Sequence, residues 1–246
     1  MLSKNQSKII TSLRQKKYRL QHQFFVVEGI KVINEFLSSK YELEELFCTE
    51  DCYASFRTFN PQIISDKELS KISNLSTPNR VLGIFKIPEV LKPKEEGLIL
   101  VLDEINDPGN LGTIIRLSDW FGISQIICSK NTVDCYNPKV VQATMGSLTR
   151  MSINYLDLEI FLKETQLQIY GAVMNGENVY SSNLEQNAIL VMGNESNGIS
   201  EKVSSLITNK ITIPRYNEAT ITESLNVATA TAILLNEFRR INFIQK

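Results

Sequence analysis

The sequence predicts two α/β units, a small first one and a larger second one built on a mostly parallel sheet. From residue 98 onward, apolar runs such as LILVLD, SQIICS, QIYGAV and AILVMG alternate with helical patterns. Strands that are apolar on both faces belong to parallel sheets with helices on either side. The second observation is the stretch KIPEVLKPKEEG at 86–97, where Pro88 and Pro93 stand among charged residues with no apolar period, as in a linker. The expected division is a first domain at 1–88, a linker at 89–97 and a second domain at 98–246.

Each element has its own signal. In the first part, 6–18 reads as a helix, FFVVEG (24–29) as a buried strand ending in a turn, 30–37 as an amphipathic helix and LEELFCT (43–49) as a strand. In the second, strands are expected at 98–103, 124–129, 153–155, 168–173, 188–193 and 210–214. Helices are expected at 111–121, 138–149, 158–165, just after Ser200, and at 223–238.

Composition narrows the function classes. Of 246 residues 43% are hydrophobic and 22% charged, with 11 Gly and 7 Pro, which excludes collagen-like and disordered chains. No apolar run approaches the roughly 18 residues of a membrane helix. The opening MLSKNQSKII lacks a secretory pattern, so the expectation is a cytoplasmic protein whose Cys48, Cys52, Cys128 and Cys135 stay reduced. Those cysteines are not spaced as a zinc finger, and His22 is the single histidine, so no metal is expected.

The net charge of −1 hides an uneven distribution. Lys4, Lys8, Arg14, Lys16, Lys17 and Arg19 all precede the first acidic residue, Glu28. Such a segment either sits on phosphates or forms a solvated helix face. Three polar loops follow strands of the second unit: NDPGNLGTIIR, VMGNESNGIS and IPRYNEATITESLN. In a parallel sheet, loops at the C-terminal strand ends gather around ligands. Asn110 is positioned to cap a helix starting at Leu111, and Arg116 on that helix either holds a phosphate or pairs with Asp119. Thr222 or Ser224 is expected to cap the last helix, with Asn226 in its first turn. Neither the GxGxxG nor the P-loop pattern is present, nor GxSxG or HExxH.

Taken together in this order, the three loops resemble the SPOUT superfamily, in its TrmH/SpoU branch of RNA ribose 2'-O-methyltransferases. The first part, with KKYRLQHQFFVVEGIKVINEF, is similar to the family's small substrate-binding domain of L30e-like type. The resemblance implies a C-terminal domain tied into a deep trefoil knot, S-adenosylmethionine as cofactor, a homodimer, and structured rRNA or tRNA as substrate. By motif match, Asn110, Arg116, Glu195, Ser224 and Asn226 would be catalytic, and Gly171, Gly193, Ile213 and Leu225 would line the cofactor pocket. Arg14, Lys16, Lys17, Arg19 and Arg116 would contact RNA.

That chemistry suits the residue types. A ribose hydroxyl is a weak nucleophile, so the site has to align it with the methyl carbon and favour developing negative charge. Arg116 would supply that charge stabilisation, Glu195 would orient Arg116 or the ribose, and Asn110 and Asn226 would hold substrate or loop backbone. The sequence departs from the family in two places. The third loop, YNEATIT, is longer and lacks glycine, and Gln142 and Thr144 stand where the family often has Arg and Ser. Two other accounts remain: a catalytically weak or inactive RNA-binding or ribosome-assembly protein of the same fold, and an enzyme using a different adenosine cofactor.

Overall fold

The computed structural model describes residues 1–216 and 224–244, with side chains to 240. The chain divides into two compact units. The first comprises 1–89 and 134–150, the second 90–133 and 151–246. The boundary near 89 lies in the expected linker. The segment 134–150, expected to belong with the second domain, packs instead with the first, so the chain crosses between units three times.

The first unit starts with α1 (Lys4–Ser12) and α2 (Lys16–His22), where one helix over 6–18 was expected. The break has a local cause. The guanidinium of Arg19 donates to the carbonyls of Leu13 and Arg14, at 2.8 and 2.9 Å, so the turn between the helices ends its carbonyls on a side chain. Then follow β1 (Phe24–Glu28), α3 (Ile30–Leu37), β2 (Leu43–Cys48), α4 (Tyr53–Phe56), β3 (Gln62–Ile63), α5 (Asp66–Ile72) and β4 (Val81–Lys86). The sheet runs β1-β4-β2-β3, with β4 antiparallel to both neighbours and β3 parallel to β2. Alternation along β1 sends Val26 to a core with Ile10, Leu13, Leu69 and Ile72, while Phe25 meets Phe36, Tyr41, Phe85 and Tyr136.

Tyr136 belongs to the segment that returns from the second unit, and its neighbour Asp134 makes the other tie. Arg19 is 2% exposed and donates from Nε and Nη2 to Oδ2 of Asp134, at 2.8 and 2.6 Å. The segment continues as α7 (Pro138–Thr144), capped by Asn137, and a short 3-10 turn Ser147–Arg150.

The second unit carries β5 (Leu98–Leu102), α6 (Pro108–Trp120), β6 (Gln125–Ser129), β7 (Ser152–Leu156), α8 (Leu158–Glu164), β8 (Gln168–Asn178), β9 (Ala188–Met192), α9 (Glu201–Ser204), β10 (Asn209–Thr212) and α10 (Val227–Ile244). Its sheet runs β10-β8-β9-β5-β6-β7 and every neighbouring pair is parallel. As the apolar runs predict, β5, β6 and β9 are buried along their whole length. Ile99, Val101, Ile169 and Val191 face α8 and α9 through Leu158, Leu162 and Val203. Tyr170, on the opposite face from Ile169, meets Phe238 of α10 edge-on, which places α10 and its partner α6 on the second layer. β5 sits centrally, with β6 and β7 built to one side and β9, β8 and β10 to the other, so the crevice of this sheet opens beyond β5 and β9.

Two predictions follow from this packing. Arg19→Ala strips a largely buried carboxylate, 13% exposed, of its partner and frees two carbonyls, a loss of about 3 kcal/mol, read as a lower urea midpoint. Arg19→Lys is expected to recover little, because one ammonium cannot replace the planar fork. All four cysteines are free and buried, and burial, with Cys52, Glu50 and Asp51 nearby, pushes the Cys48 thiol up to about 11. The Cys128 thiol is raised likewise by burial. A thiol reagent at pH 8 should therefore label none of the cysteines within minutes in the folded protein and all four in urea. Fast labelling of a folded-state thiol would contradict the packing.

Candidate functional site

At the crevice, β5 is followed directly by Asp103, which is 3% exposed. Its amide donates to the carbonyl of Met192 at the end of β9, and its Oδ2 accepts from the amide of Ser200 at 2.8 Å. Asn194, 9% exposed, closes the loop after β9. Its Oδ1 accepts from the amides of Ser196 and Asn197, its Nδ2 donates to the carbonyl of Glu104 at 2.7 Å, and its backbone exchanges two hydrogen bonds with Gly198. Asp103 and Asn194 are functional-site residues that the sequence reading passed over. An acidic residue ending a buried strand and an Asn directly after Gly193 were the available signals.

Gly193 is required by space. A Cβ there would lie 2.3 Å from the Gly198 carbonyl carbon and from the Ile199 nitrogen, so only glycine lets the two ends of this loop approach. Gly198, at φ +68°, makes the turn. Glu195 is thereby presented, exposed, at the tip of the loop.

The structure corrects the expected cap of α6. The helix starts at Pro108, and Asp107 is its N-cap, accepting from the amide of Asn110 at 2.8 Å. Proline has no N–H to satisfy and its fixed φ suits the first helical position, so the helix begins three residues before Leu111. Asn110 is in the first turn with its side chain free to act elsewhere. Asn226, expected within the last helix, is instead positioned just before it: its Oδ1 accepts from the amides of Ala228 and Thr229, at 2.9 and 3.2 Å. The alternative cap Thr222, like the rest of 217–223, lies outside the described residues, and Ser224 is exposed two residues before Asn226.

These side chains form a directed chain. Because the Asn226 oxygen is taken by helix amides, its nitrogen is the group that donates, and it reaches Oδ1 of Asn110 at 2.9 Å. That oxygen being occupied, the Asn110 nitrogen donates to Oε1 of Glu195 at 2.7 Å. An ionised carboxylate can only accept, so every amide in the chain has one orientation. Three loops distant in sequence are joined by two hydrogen bonds.

Arg116 is exposed on α6 and its guanidinium has no hydrogen-bond or ion partner among the described residues. Glu195, expected to orient Arg116 or the ribose, has Asn110 as its bonded partner. Six residues separate Arg116 from Asn110, about 9 Å of helical rise, which is the reason they do not meet.

Gly193 and Ile213 stand directly after β9 and β10 at the C-terminal edge of the sheet, and Leu225, 48% exposed, precedes α10. A leucine presented to solvent between polar neighbours suits the face of a flat heteroaromatic ring. Gly171 stands where the pairing of β8 with β9 ends, opposite Val191 and so one residue short of the end of β9, and it is pressed on Ile207, whose Cδ1 would be 2.3 Å from a Cβ. Its smallness lets Ile207, in the connection between α9 and β10, pack on the strand.

In the first unit, Lys16 and Lys17 are exposed on α2, and the Lys17 ammonium lies 5.8 Å from the centre of the Tyr18 ring, which stacks with His22. Arg14 is exposed but oriented, donating to Oδ1 of Asn74 and to the carbonyl of Ser73. Arg19 is corrected: expected on RNA, it is buried and all its bonds are internal, to Asp134, Leu13 and Arg14. Among the described residues no helix is long and apolar enough to cross a membrane, and no group of three or more His, Cys, Asp or Glu is placed to hold a metal.

Comparison with known proteins agrees with the two-unit reading. Residues 4–83 match the model of the MRM3-like substrate binding domain, and residues 97–236 match that of the SpoU rRNA Methylase family. The chain is 28% identical over 234 residues, 92% of its own length and 93% of the other's, to the 23S rRNA (guanosine(2553)-2'-O)-methyltransferase RlmP of Bacillus subtilis. Among solved structures, a Porphyromonas gingivalis protein described as a TrmH-family RNA methyltransferase superposes with TM-score 0.89 at 39% identity, covering 98% of this chain and 99% of that one. The AdoMet-bound rRNA methyltransferase of Sinorhizobium meliloti gives 0.85 at 30%, covering 98% and 96%. With the crevice, the three joined loops and a family model spanning more than half of the residues, the chain belongs to the SpoU rRNA methylase family.

Proposed function

We propose that Asn110, Arg116, Glu195 and Asn226 carry out S-adenosylmethionine-dependent methylation of a ribose 2'-hydroxyl in structured RNA. The protein is an RNA 2'-O-methyltransferase and S-adenosylmethionine is its methyl donor. The single observation that carries the residue assignment is the chain from Asn226 through Asn110 to Glu195 at the C-terminal edge of the sheet. The relatives support the reaction, since one of them is an AdoMet-bound rRNA methyltransferase and another a 23S rRNA 2'-O-methyltransferase.

The residues present fit the cofactor: Gly193 permits the tight loop, and Ile213 and Leu225 offer apolar surface for an adenine. Bound there, the cofactor supplies an electrophilic methyl on a sulfonium, which needs no metal. Arg116 receives an RNA phosphate or the developing charge on the 2'-oxygen, in either case as a fixed cation with a two-pronged donor. Glu195 has acceptor capacity beyond its bond to Asn110 and holds the ribose hydroxyl. Asn110 keeps that carboxylate in place, and Asn226 keeps Asn110. Ser224 borders the same edge.

The finer expectations are part of this reading. The first unit is taken as an L30e-like domain that holds RNA by Arg14, Lys16 and Lys17. The trefoil knot is carried over from the resemblance of the three loops. The homodimer is carried over from the same resemblance, and a cytoplasmic setting is supported by four free buried thiols. The substrate is rRNA or tRNA, with rRNA favoured by the named relatives.

Transfer of labelled methyl into unmodified rRNA and tRNA, digested to nucleosides, tests the reaction, and no 2'-O-methyl product from any pool would point to the RNA-binding alternative. Arg116→Ala is expected to lower kcat about 10²–10³-fold with S-adenosylmethionine binding unchanged, and Arg116→Lys to restore it only in part. Asn226→Asp keeps the cap oxygen but loses the donor to Asn110, so thermal stability should hold while kcat falls. Asn226→Ala should lose activity and also about 0.5–2 kcal/mol of stability. Equal stability losses for the two variants would break the assignment of separate roles to the two ends of the amide.

A further inference from the structure

A cavity of about 250 Å³ opens in the first unit between the end of β1, the turn after α5 and α7. Its walls include Leu75, Pro138 and Val141, and its polar groups Asn74, Lys139 and Gln142, all within that unit. The turn is held rigid by Glu28, a buried carboxylate that accepts from the Ser73 hydroxyl and from both the backbone and side-chain nitrogens of Asn74. Nothing in the catalytic reading uses this cavity.

The chemistry around it is specific. On one side Asn74 also accepts from Nε of Arg14, so an exposed guanidinium is anchored to the cavity wall. On the other, Lys139 is exposed on the first turn of α7, and neither its ammonium nor the Gln142 amide has a hydrogen-bond or ion partner among the described residues. The result is an aliphatic slot with an unengaged amide at its rim and a cation on either side. A nucleobase has the matching features: a flat apolar body, an edge of donors and acceptors, and phosphates to either side. The volume is below the roughly 300–1,000 Å³ of drug-sized pockets, which suits one ring system. Bases inside a duplex are stacked and paired, so only an unpaired or extruded one can enter.

We propose that this cavity takes an unpaired nucleobase of the RNA substrate, with Gln142 on the base edge and Arg14 and Lys139 on the flanking phosphates. The proposal rests on the RNA-methyltransferase reading for its ligand class and adds a second point of attachment remote from the crevice residues in sequence. It also accounts for Gln142, an amide where the resemblance expects arginine: an amide reads a base edge, whereas a guanidinium there would favour phosphate.

The test uses full-length protein and two fluorescein-labelled RNA probes, a 12-mer oligoadenylate and a 12-base-pair duplex, with dissociation constants measured by anisotropy at one fixed salt concentration. Leu75→Trp fills the slot, and Gln142→Ala, at a partly exposed position, guards against misfolding of the first variant. Both should weaken single-strand binding, Leu75→Trp by tenfold or more, and change duplex binding by less than twofold, with melting temperature and S-adenosylmethionine binding unaltered. Equal losses on both probes, no loss on either, or a wild type that binds neither probe would overturn the proposal. Methyl transfer is measured alongside: a selective single-strand loss without transfer by the wild type would count against the activity and leave the cavity standing, and transfer without the selective loss would do the reverse.

Discussion

Two helix N-termini meet at the crevice, and the amide of Asn226 is what joins them. Each helix brings unsatisfied N–H groups and partial positive charge to its first turn. Asp107 caps α6 and Asn226 caps α10, so both ends are satisfied before any substrate arrives. The spare nitrogen of Asn226 then ties α10 to α6 through Asn110. At the far end of the pair, Arg239 on α10 donates to the carbonyls of Phe121 and Gly122, which close α6. The two helices are thus fastened at both ends and run in the same direction, which places both first turns, and the groups they carry, at one edge of the sheet.

Fastening of this kind explains how exposed groups can be accurately placed. Glu195 is on a loop and open to solvent, yet the loop is set by Asn194, by the contact distance at Gly193 and by the bond from Asn110. Asp103 adds a buried carboxylate that links the same loop to β5 through Ser200. Arg116 differs: it projects from α6 without a protein partner among the described residues. A long cationic side chain held at its base and free at its tip suits a polymer whose phosphates have to be found before they are held.

How much of this could be read beforehand varied with the physics of each element. Strands β5, β6 and β9 lie within a residue of their expected places because burial on both faces leaves an uninterrupted apolar run. The start of α6 was misjudged because Asp107 and Asn110 are both good caps, and the choice between them depended on Pro108. In the first unit α4, β3, α5 and β4 escaped notice, being short or, for β4, flanked by the linker. Arg19 was misassigned for a deeper reason. On α2 the arginine is buried and Leu20 is 57% exposed, the reverse of hydropathy, because the burial of Arg19 is decided by Asp134, 115 residues away. The loops were legible as a group, through resemblance; the bonds between them were not.

The three crossings between units bear on how this protein can be cut. Family boundaries and the linker suggest two beads on a string, but the first bead borrows 134–150 from the middle of the second. A protease that nicks the chain near residue 92 would sever one connection and leave two, so the pieces would stay together. A gene fragment ending at the linker would encode Arg19 without Asp134 and the Phe25 cluster without Tyr136. Transplanting the first unit onto another methyltransferase therefore requires carrying the excursion after β6 along with it, and recombination that respects only the linker would yield a hybrid with a buried arginine and no counter-ion.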